Sequence, residues 1–244
     1  MNDKVSVCMA CYNGEKFIFE QIKSILKQLR NYDELVISDH GSTDSTLHII
    51  NGFNDDRIKI FHFKKDSIWL NYCRTNILVS QNFNNALLKS SGNFIFLSDQ
   101  DDIWLPNKLN IMLNLLKANN DTLIMSSFNV INENGEIIQI NNDLTKNSFV
   151  KSIIKAKFGG CTMAFDRFFL NQILPFPNFP ISHDLWIGLL ANYQRKLIII
   201  NKPLILYRRH SKNVTRNIKL PLWFKLIYRI YYAIKVIARI YLKF

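Results

Sequence analysis

The sequence predicts an α/β fold built on a largely parallel, doubly wound sheet. Two observations carry this expectation. Short apolar runs alternate with stretches whose apolar residues recur at helical spacing, the pattern of successive strand–helix units. The run Phe94-Ile95-Phe96-Leu97 is apolar at every position, as a strand buried on both faces in the middle of a parallel sheet would be.

In chain order, the run 5–11 ends in the turn signal Tyr12-Asn13-Gly14, and 16–29 places Ile18, Ile22, Ile25, Leu26 and Leu29 on one helical stripe. Residues 34–38 repeat the strand, Asp39-His40-Gly41-Ser42 repeats the turn, and 43–50 suits a second helix with Ser42 or Thr43 at its cap. A third strand is expected over 58–63. A helix carrying Ile77, Phe83, Ala86 and Leu87 then leads into the Phe94 strand. The first, second and fourth strands therefore release polar residues at one edge, where open α/β sheets bind ligands. Pro106 fits the first turn of a helix through Leu116, and 122–140 reads as a hairpin around Asn134-Gly135. Phe158-Gly159-Gly160-Cys161-Thr162 is a flexible entry to a further strand or helix. Pro175, Pro177 and Pro180 mark a loop before Ser182-His183-Asp184, which opens an apolar helix over 185–192. The last strands are expected over 196–206, followed by a polar loop over 207–217.

At 244 residues the chain suits one α/β domain. Its start lacks the basic segment and cleavage site of a signal peptide, so the body is expected in the cytoplasm, and the sequon Asn213-Val214-Thr215 carries no meaning there. Cys8 and Cys11 lie in an apolar strand that points them to opposite faces, so buried reduced thiols are expected rather than zinc or a disulfide. The net charge of +12 is uneven: 13 Lys and Arg and no acidic residue occur from Leu185 onward, against 18 basic and 19 acidic groups before it. A neutral body argues against a nucleic-acid binding protein. In the tail, Lys225, Arg229, Lys235, Arg239 and Lys243 fall within an arc of about 120° of a helix, leaving an apolar and aromatic remainder. This divides the chain into a main domain, 1–217, and a membrane-associating amphipathic helix, 218–244. The charges recur too often for a spanning helix; the expectation is a helix lying on an anionic membrane surface with its basic stripe toward headgroups, the alternative a helix packed on the body or a second subunit.

Chemistry is concentrated in SDQDDIW, where the Phe94 strand ends. Asp99, Asp101 and Asp102 crowded in a crevice repel one another, and a low-dielectric site tolerates this only when a cation or specific donors neutralise them. Oxygen ligands of this kind suit Mg²⁺ or Mn²⁺, which takes further ligands from substrate phosphates. A solvated acidic turn is the plain alternative.

Five ordered motifs over residues 4–215 give the chain a resemblance to a known family: VSVCMACYNGEKFI, LVISDHGSTDST, GNFIFLSDQDDIWLPNKL, HDLWIGLLA and YRRHSKNVT. It resembles the family 2 glycosyltransferases of the GT-A fold, especially the bacterial rhamnosyltransferase-like branch. The resemblance implies inverting transfer of a sugar, rhamnose being one candidate, from a nucleotide diphosphate donor to a saccharide or lipid-linked acceptor. The setting would be O-antigen or capsule synthesis, with the enzyme cytoplasmic and peripheral at the inner face of the cell membrane. It implies that Ala10, Tyr12, Asn13, Asp39, His40 and Asp99 bind the nucleotide, with Tyr12 stacking on the base and Asp99 near the ribose. Asp101 and His210 would hold Mg²⁺ or Mn²⁺, Arg208 and Arg209 would contact the donor diphosphate, and Asp184 would be the general base. His40 stands where the family commonly has a second acidic residue that accepts from the pyrimidine N3–H; a neutral imidazole accepts one bond in the right tautomer. His40 and the missing Glu before Asp184 leave a second reading open, a nucleotide-sugar binding protein without turnover.

Overall fold

The computed structural model describes residues 3–63, 74–141, 146–155, 158–177, 182–211, 213 and 221–242. Alternating apolar strands and one-sided helices settle into three layers, as the burial requirement dictates. The strands are β1 (Val5–Cys11), β2 (Glu34–Asp39), β3 (Ile58–His62), β4 (Phe94–Ser98), β5 (Ile103–Trp104), β6 (Leu123–Ile131), β7 (Ile137–Asn141), β8 (Met163–Asp166) and β9 (Leu197–Arg208). The helices are α1 (Ile18–Leu26), α2 (Thr46–Asn51), α3 (Arg74–Lys89), α4 (Lys108–Ala118), α5 (Phe149–Ile154), α6 (Arg167–Ile173), α7 (His183–Tyr193) and α8 (Leu222–Tyr241).

The sheet runs β3-β2-β1-β4-β8-β6-β9-β5, with β7 paired to β6. Its first four strands are parallel, as the alternation predicts, and β8 then joins β4 antiparallel, which makes the sheet mixed. Register decides where the site lies. Met9 pairs with Ser98 on one side and Ile37 on the other, and Cys11 pairs with Asp39, so β1, β2 and β4 end nearly level. Tyr12, His40 and Asp99 thus emerge side by side.

One core packs between the sheet and α3, α6, α7 and α8, around Cys8, Phe83, Leu97, Phe165, Trp186 and Tyr232. The other lies against α1, α2 and α4, around Cys11, Ile18, Ile22, Ile37, Phe96 and Leu113. Cys8 and Cys11 belong to opposite layers, as their strand spacing requires. The expected hairpin forms between β6 and β7, with Gly135 at φ 87 in its turn.

Three local expectations shift. α2 begins at Thr46 rather than Thr43, because Asp44 turns back to accept from the Thr46 N–H at 3.0 Å. α4 begins at Lys108 after Asn107 at φ 66, leaving Pro106 outside its first turn. Tyr207 and Arg208 are strand rather than loop, since β9 continues beside β6 as far as Ile131.

α8 packs on α7 and α5. Of its basic arc, expected to face outward, Arg229 and Arg239 are turned toward the body, Lys235 is exposed, and Lys243 lies outside the described residues. Arg239 lies 5.3 Å over the Trp186 ring and donates to the carbonyls of Gln172, Leu174 and Pro175, while Arg229 donates to those of Ile153 and Ile154. Unmatched carbonyls at the ends of α5 and α6 explain the reversal, because a guanidinium can satisfy several at once.

Glu34 knots the parallel half together. Its buried carboxylate accepts from the Lys59 ammonium at 2.8 Å, the Ser6 hydroxyl at 2.6 Å and the Ser91 N–H at 2.6 Å, and pairs with Lys4 at 3.1 Å. Burial alone would raise its pKa, but these donors prevail and hold it down at about 2. A depressed carboxyl pKa gives stability that is present above the unfolded value of about 4.5 and is lost as pH falls through the folded value. Urea unfolding of the intact protein should therefore weaken between pH 4.5 and 2 more steeply than that of Glu34→Gln, the difference approaching about 3 kcal/mol. Parallel pH profiles for the two proteins would assign the acid sensitivity to other groups.

Candidate active site

The polar residues released by β4 do not share one environment. Asp102 is fully buried: its Oδ1 accepts from the Arg208 N–H at 3.0 Å, and its Oδ2 is without a hydrogen-bond partner. Burial, then the charges of Asp101 and Asp99, push its pKa well above the ordinary carboxylate value. Asp99 is half-buried, and burial followed by repulsion from Asp101 and Asp184 raises it to about 7. Asp101 is instead held by donors, accepting at Oδ2 from His210 Nε2 at 2.7 Å and from Asn213 Nδ2 at 3.2 Å. Positive charge is built in behind the cluster. Lys108, wholly buried at the start of α4, donates to the Cys161 carbonyl at 2.8 Å and lies 4.4 Å over the Trp104 ring; burial drives its pKa down to about 7.

Arg208 is placed otherwise than as a diphosphate contact. It is 2% exposed, and its guanidinium donates to the carbonyls of Asp101 and Glu133 and to Glu20, with Phe17 4.7 Å beneath it. It is a strut that carries the Asp101 backbone, while Arg209 beside it is exposed. His210 is brought to Asp101 across 109 residues of sequence and packs against Phe17 at 4.9 Å.

The ends of β1 and β2 form the neighbouring edge. Tyr12, half exposed, is clamped by Gln100, which accepts from its N–H at 2.9 Å and donates to its carbonyl at 3.0 Å. Gly14 leaves the room for this, since a Cβ there would lie 2.6 Å from Gln100 Oε1. Asn13, at φ 46, accepts from the Thr43 N–H, and the buried Asp39 accepts from the N–H groups of Gly41 and Ser42, so both carboxamide and carboxylate shape the loops. Ala10, opposite Ser38, is half-buried beside them. His40 Nδ1 lies 3.0 Å from the Phe63 carbonyl. A carbonyl only accepts, so Nδ1 carries the proton and Nε2 is left as an acceptor.

Asp184 enters from the other side on the first turn of α7, where its Oδ1 accepts from the Leu185 N–H at 2.7 Å and from the Ser182 hydroxyl. This is the cap-like arrangement that a carboxylate at a helix start favours, and it fixes the side chain. Its charge reaches Asp99 across the site. The turn is anchored twice: Ser80 Oγ accepts from the His183 N–H at 3.0 Å, and Tyr232 Oη of α8 accepts from the Ser182 N–H at 3.0 Å. Gln100, Lys108, Asn213 and Tyr232 were not singled out from sequence. Gln100 and Lys108 lie inside GNFIFLSDQDDIWLPNKL and Asn213 inside YRRHSKNVT, whereas Tyr232 lies outside every motif.

Two groups invite a cation. Oxygens of Asp99 and Asp102 lie with the Cys161 sulfur within 4.8 Å of one another. Burial pushes that thiol well up, so it stays protonated and fits a hard ion poorly. Asp101 and His210, oxygen and imidazole facing each other at the rim, fit Mg²⁺ or Mn²⁺ better.

A family model, Glycosyl transferase family 2, matches residues 6–174. The chain belongs to this family. As a family 2 glycosyltransferase it is an enzyme, and the mixed sheet with helices on both sides is its GT-A fold. The chain is 29% identical over 221 residues to the UDP-Glc:alpha-D-GlcNAc-diphosphoundecaprenol beta-1,3-glucosyltransferase WfgD of Escherichia coli, covering 87% of this chain and 80% of that one. It is 29% identical over 227 residues to the dTDP-rhamnosyl transferase RfbG of Shigella flexneri, covering 84% and 72%. Among solved structures it resembles S. aureus TarS 1-349 in complex with UDP-GlcNAc at TM-score 0.66 and 17% identity, over 93% of this chain and 72% of that one. That likeness concerns the fold.

The anchoring of Ser182 makes Tyr232 a positioning residue for Asp184. Tyr232→Phe should lower kcat about tenfold while leaving donor KM and the folded far-UV spectrum unchanged, the scale of one hydrogen bond. Tyr193 of α7 and Tyr241 of α8 meet at their hydroxyls, 3.2 Å apart, away from Ser182; equal losses in Tyr232→Phe and Tyr193→Phe would reduce the role of Tyr232 to general packing.

Proposed function

We propose that this glycosyltransferase moves a sugar, with inversion, from a pyrimidine nucleoside diphosphate to a saccharide or lipid-linked acceptor in bacterial surface polysaccharide synthesis. We place it at the cytoplasmic face of the cell membrane. The observation that carries the reading is convergence: Asp101 and His210 meet at the rim of the site, and Asp184 stands close enough to act on the charge of Asp99. The activities for which WfgD and RfbG are named support the donor class and the setting.

In this reading the base lies against Tyr12, with His40 Nε2 accepting from the pyrimidine N3–H and Asp99 near the ribose. Asp101 and His210 would hold Mg²⁺ or Mn²⁺, which supplies positive charge for the departing diphosphate. Arg209, exposed next to Arg208, would add a cation for the donor diphosphate. Asp184, with Oδ1 committed to the α7 start, offers Oδ2 to take the proton from the acceptor hydroxyl as it attacks the anomeric carbon opposite the leaving group. The Ser182 hydroxyl and the Leu185 N–H keep that carboxylate aimed.

A screen of UDP- and dTDP-sugars on the purified protein, scoring release of nucleoside diphosphate, should show turnover that EDTA abolishes and Mn²⁺ or Mg²⁺ restores. Asp184→Asn should retain donor binding and lose about 10²-fold or more in kcat. Donor binding without turnover by the intact protein, on any acceptor tried, would instead favour a nucleotide-sugar binding protein.

His40 gives a separate test of base recognition. Uracil and thymine carry an N3–H and cytosine does not, so UDP and dTDP should bind roughly tenfold more tightly than CDP, the scale of one hydrogen bond. His40→Asp should keep that preference and His40→Phe should erase it; an unchanged preference in His40→Phe would assign base recognition elsewhere.

A further inference from the structure

With Arg229 and Arg239 of α8 turned inward, the opposite side of the helix is largely exposed, with Tyr241 reaching Tyr193 of α7 at 3.2 Å. Leu222, Trp223, Leu226, Ile227, Ile230, Ile234, Ile237 and Tyr241 are all exposed. At 100° per residue they occupy a continuous arc of about 140°. The two aromatic residues, Trp223 and Tyr241, are about 27 Å apart along the axis, one near each end. No described helix is long and apolar enough to cross a membrane. A single apolar face of this length on an otherwise finished domain marks an interaction surface.

Charge selects the occupant. Lys151 on α5 and Lys155 just past its end are exposed, and carbonyls of α5 hold Arg229 of α8. No acidic residue occurs in the sequence after Asp184. A second copy would bring the same lysines against one another with no carboxylate from this region to pair them. Anionic lipid headgroups would pair them, while the apolar arc enters the acyl boundary and the aromatic ends sit at the interface.

We propose that the outward apolar face of α8 inserts flat into the surface of an anionic bilayer, with the exposed Lys151 and Lys155 contacting the headgroups. This rests on the membrane placement proposed above and assigns the face and the driving force. Insertion is mainly apolar, whereas Arg229 and Arg239 serve the fold. Because Tyr232 on the inward side of the same helix holds Ser182, the bilayer surface and the catalytic turn share one support.

The test is sedimentation of the full chain with phosphatidylcholine vesicles containing phosphatidylglycerol, at low and at 0.5 M salt. The intact protein should bind, keep most of that binding at high salt, and show a blue shift of Trp223 emission that Trp223→Phe removes. Ile230→Glu with Ile234→Glu should bind at least about tenfold more weakly while remaining folded and active on a soluble acceptor. Equal binding by this variant, or complete loss of binding by the intact protein in 0.5 M salt, would overturn the apolar face as the docking surface. No vesicle binding by an intact protein that still turns over donor would overturn the membrane placement and leave the transferase reading standing. A stable dimer in solution that the double variant dissolves, with no vesicle binding, would make the occupant a second copy.

Discussion

Four carboxylates, Asp99, Asp101, Asp102 and Asp184, converge where β4 ends and α7 begins, and their mutual repulsion in a half-dry crevice is the constraint around which the surrounding chain is arranged. Each is handled differently. Asp102 is buried against the Arg208 backbone and shifted toward its neutral form; Asp101 takes two side-chain donors at the rim; Asp184 faces the positive start of a helix. Asp99, half-buried beside the charges of Asp101 and Asp184, has its pKa raised to about 7. The residues that restrain this charge come from distant parts of the chain: Lys108 from α4, Arg208 from the end of β9, His210 and Asn213 from the segment after it. The sheet order makes that possible, because β9 runs parallel to β6 and carries its end back toward the β4 edge, close enough for Arg208 to hold Asp101 and Asp102.

α8 extends the same logic to the periphery. Its inward side supplies Tyr232 to the turn that carries Asp184, and its arginines close carbonyls of α5 and α6. The helix is thereby tied to the geometry of the turn that carries Asp184. Its outward side is then free of any fold requirement, and apolar residues there need a reason other than packing.

The parallel half of the sheet and the acidic edge were legible because their signals are local: an unbroken apolar run ending in SDQDD, and turn residues after each strand. Buried positions Ile77, Phe83, Ala86 and Leu87 followed from helical period alone. The role of Arg208 was not legible. Its burial depends on Glu20, 188 residues away, and on β9 reaching two residues further than its apolar pattern suggested. The orientation of α8 was hidden for a related reason: amphipathic spacing separates two faces but does not say which turns inward, and two arginines that find carbonyls reverse the usual choice. Asp101 and His210 were paired by resemblance to a family, since nothing in either local sequence announces the other.

The central claim is that the rim pair, rather than the buried triad with Cys161, receives the cation that the acidic edge demands. Anomalous diffraction from crystals grown with UDP and Mn²⁺ tests this directly. The account requires a manganese peak bonded to Asp101 and to His210 Nε2, with their mutual hydrogen bond replaced by two bonds to the ion. A peak among Asp99, Asp102 and Cys161, or bound UDP with no manganese beside it, would contradict it.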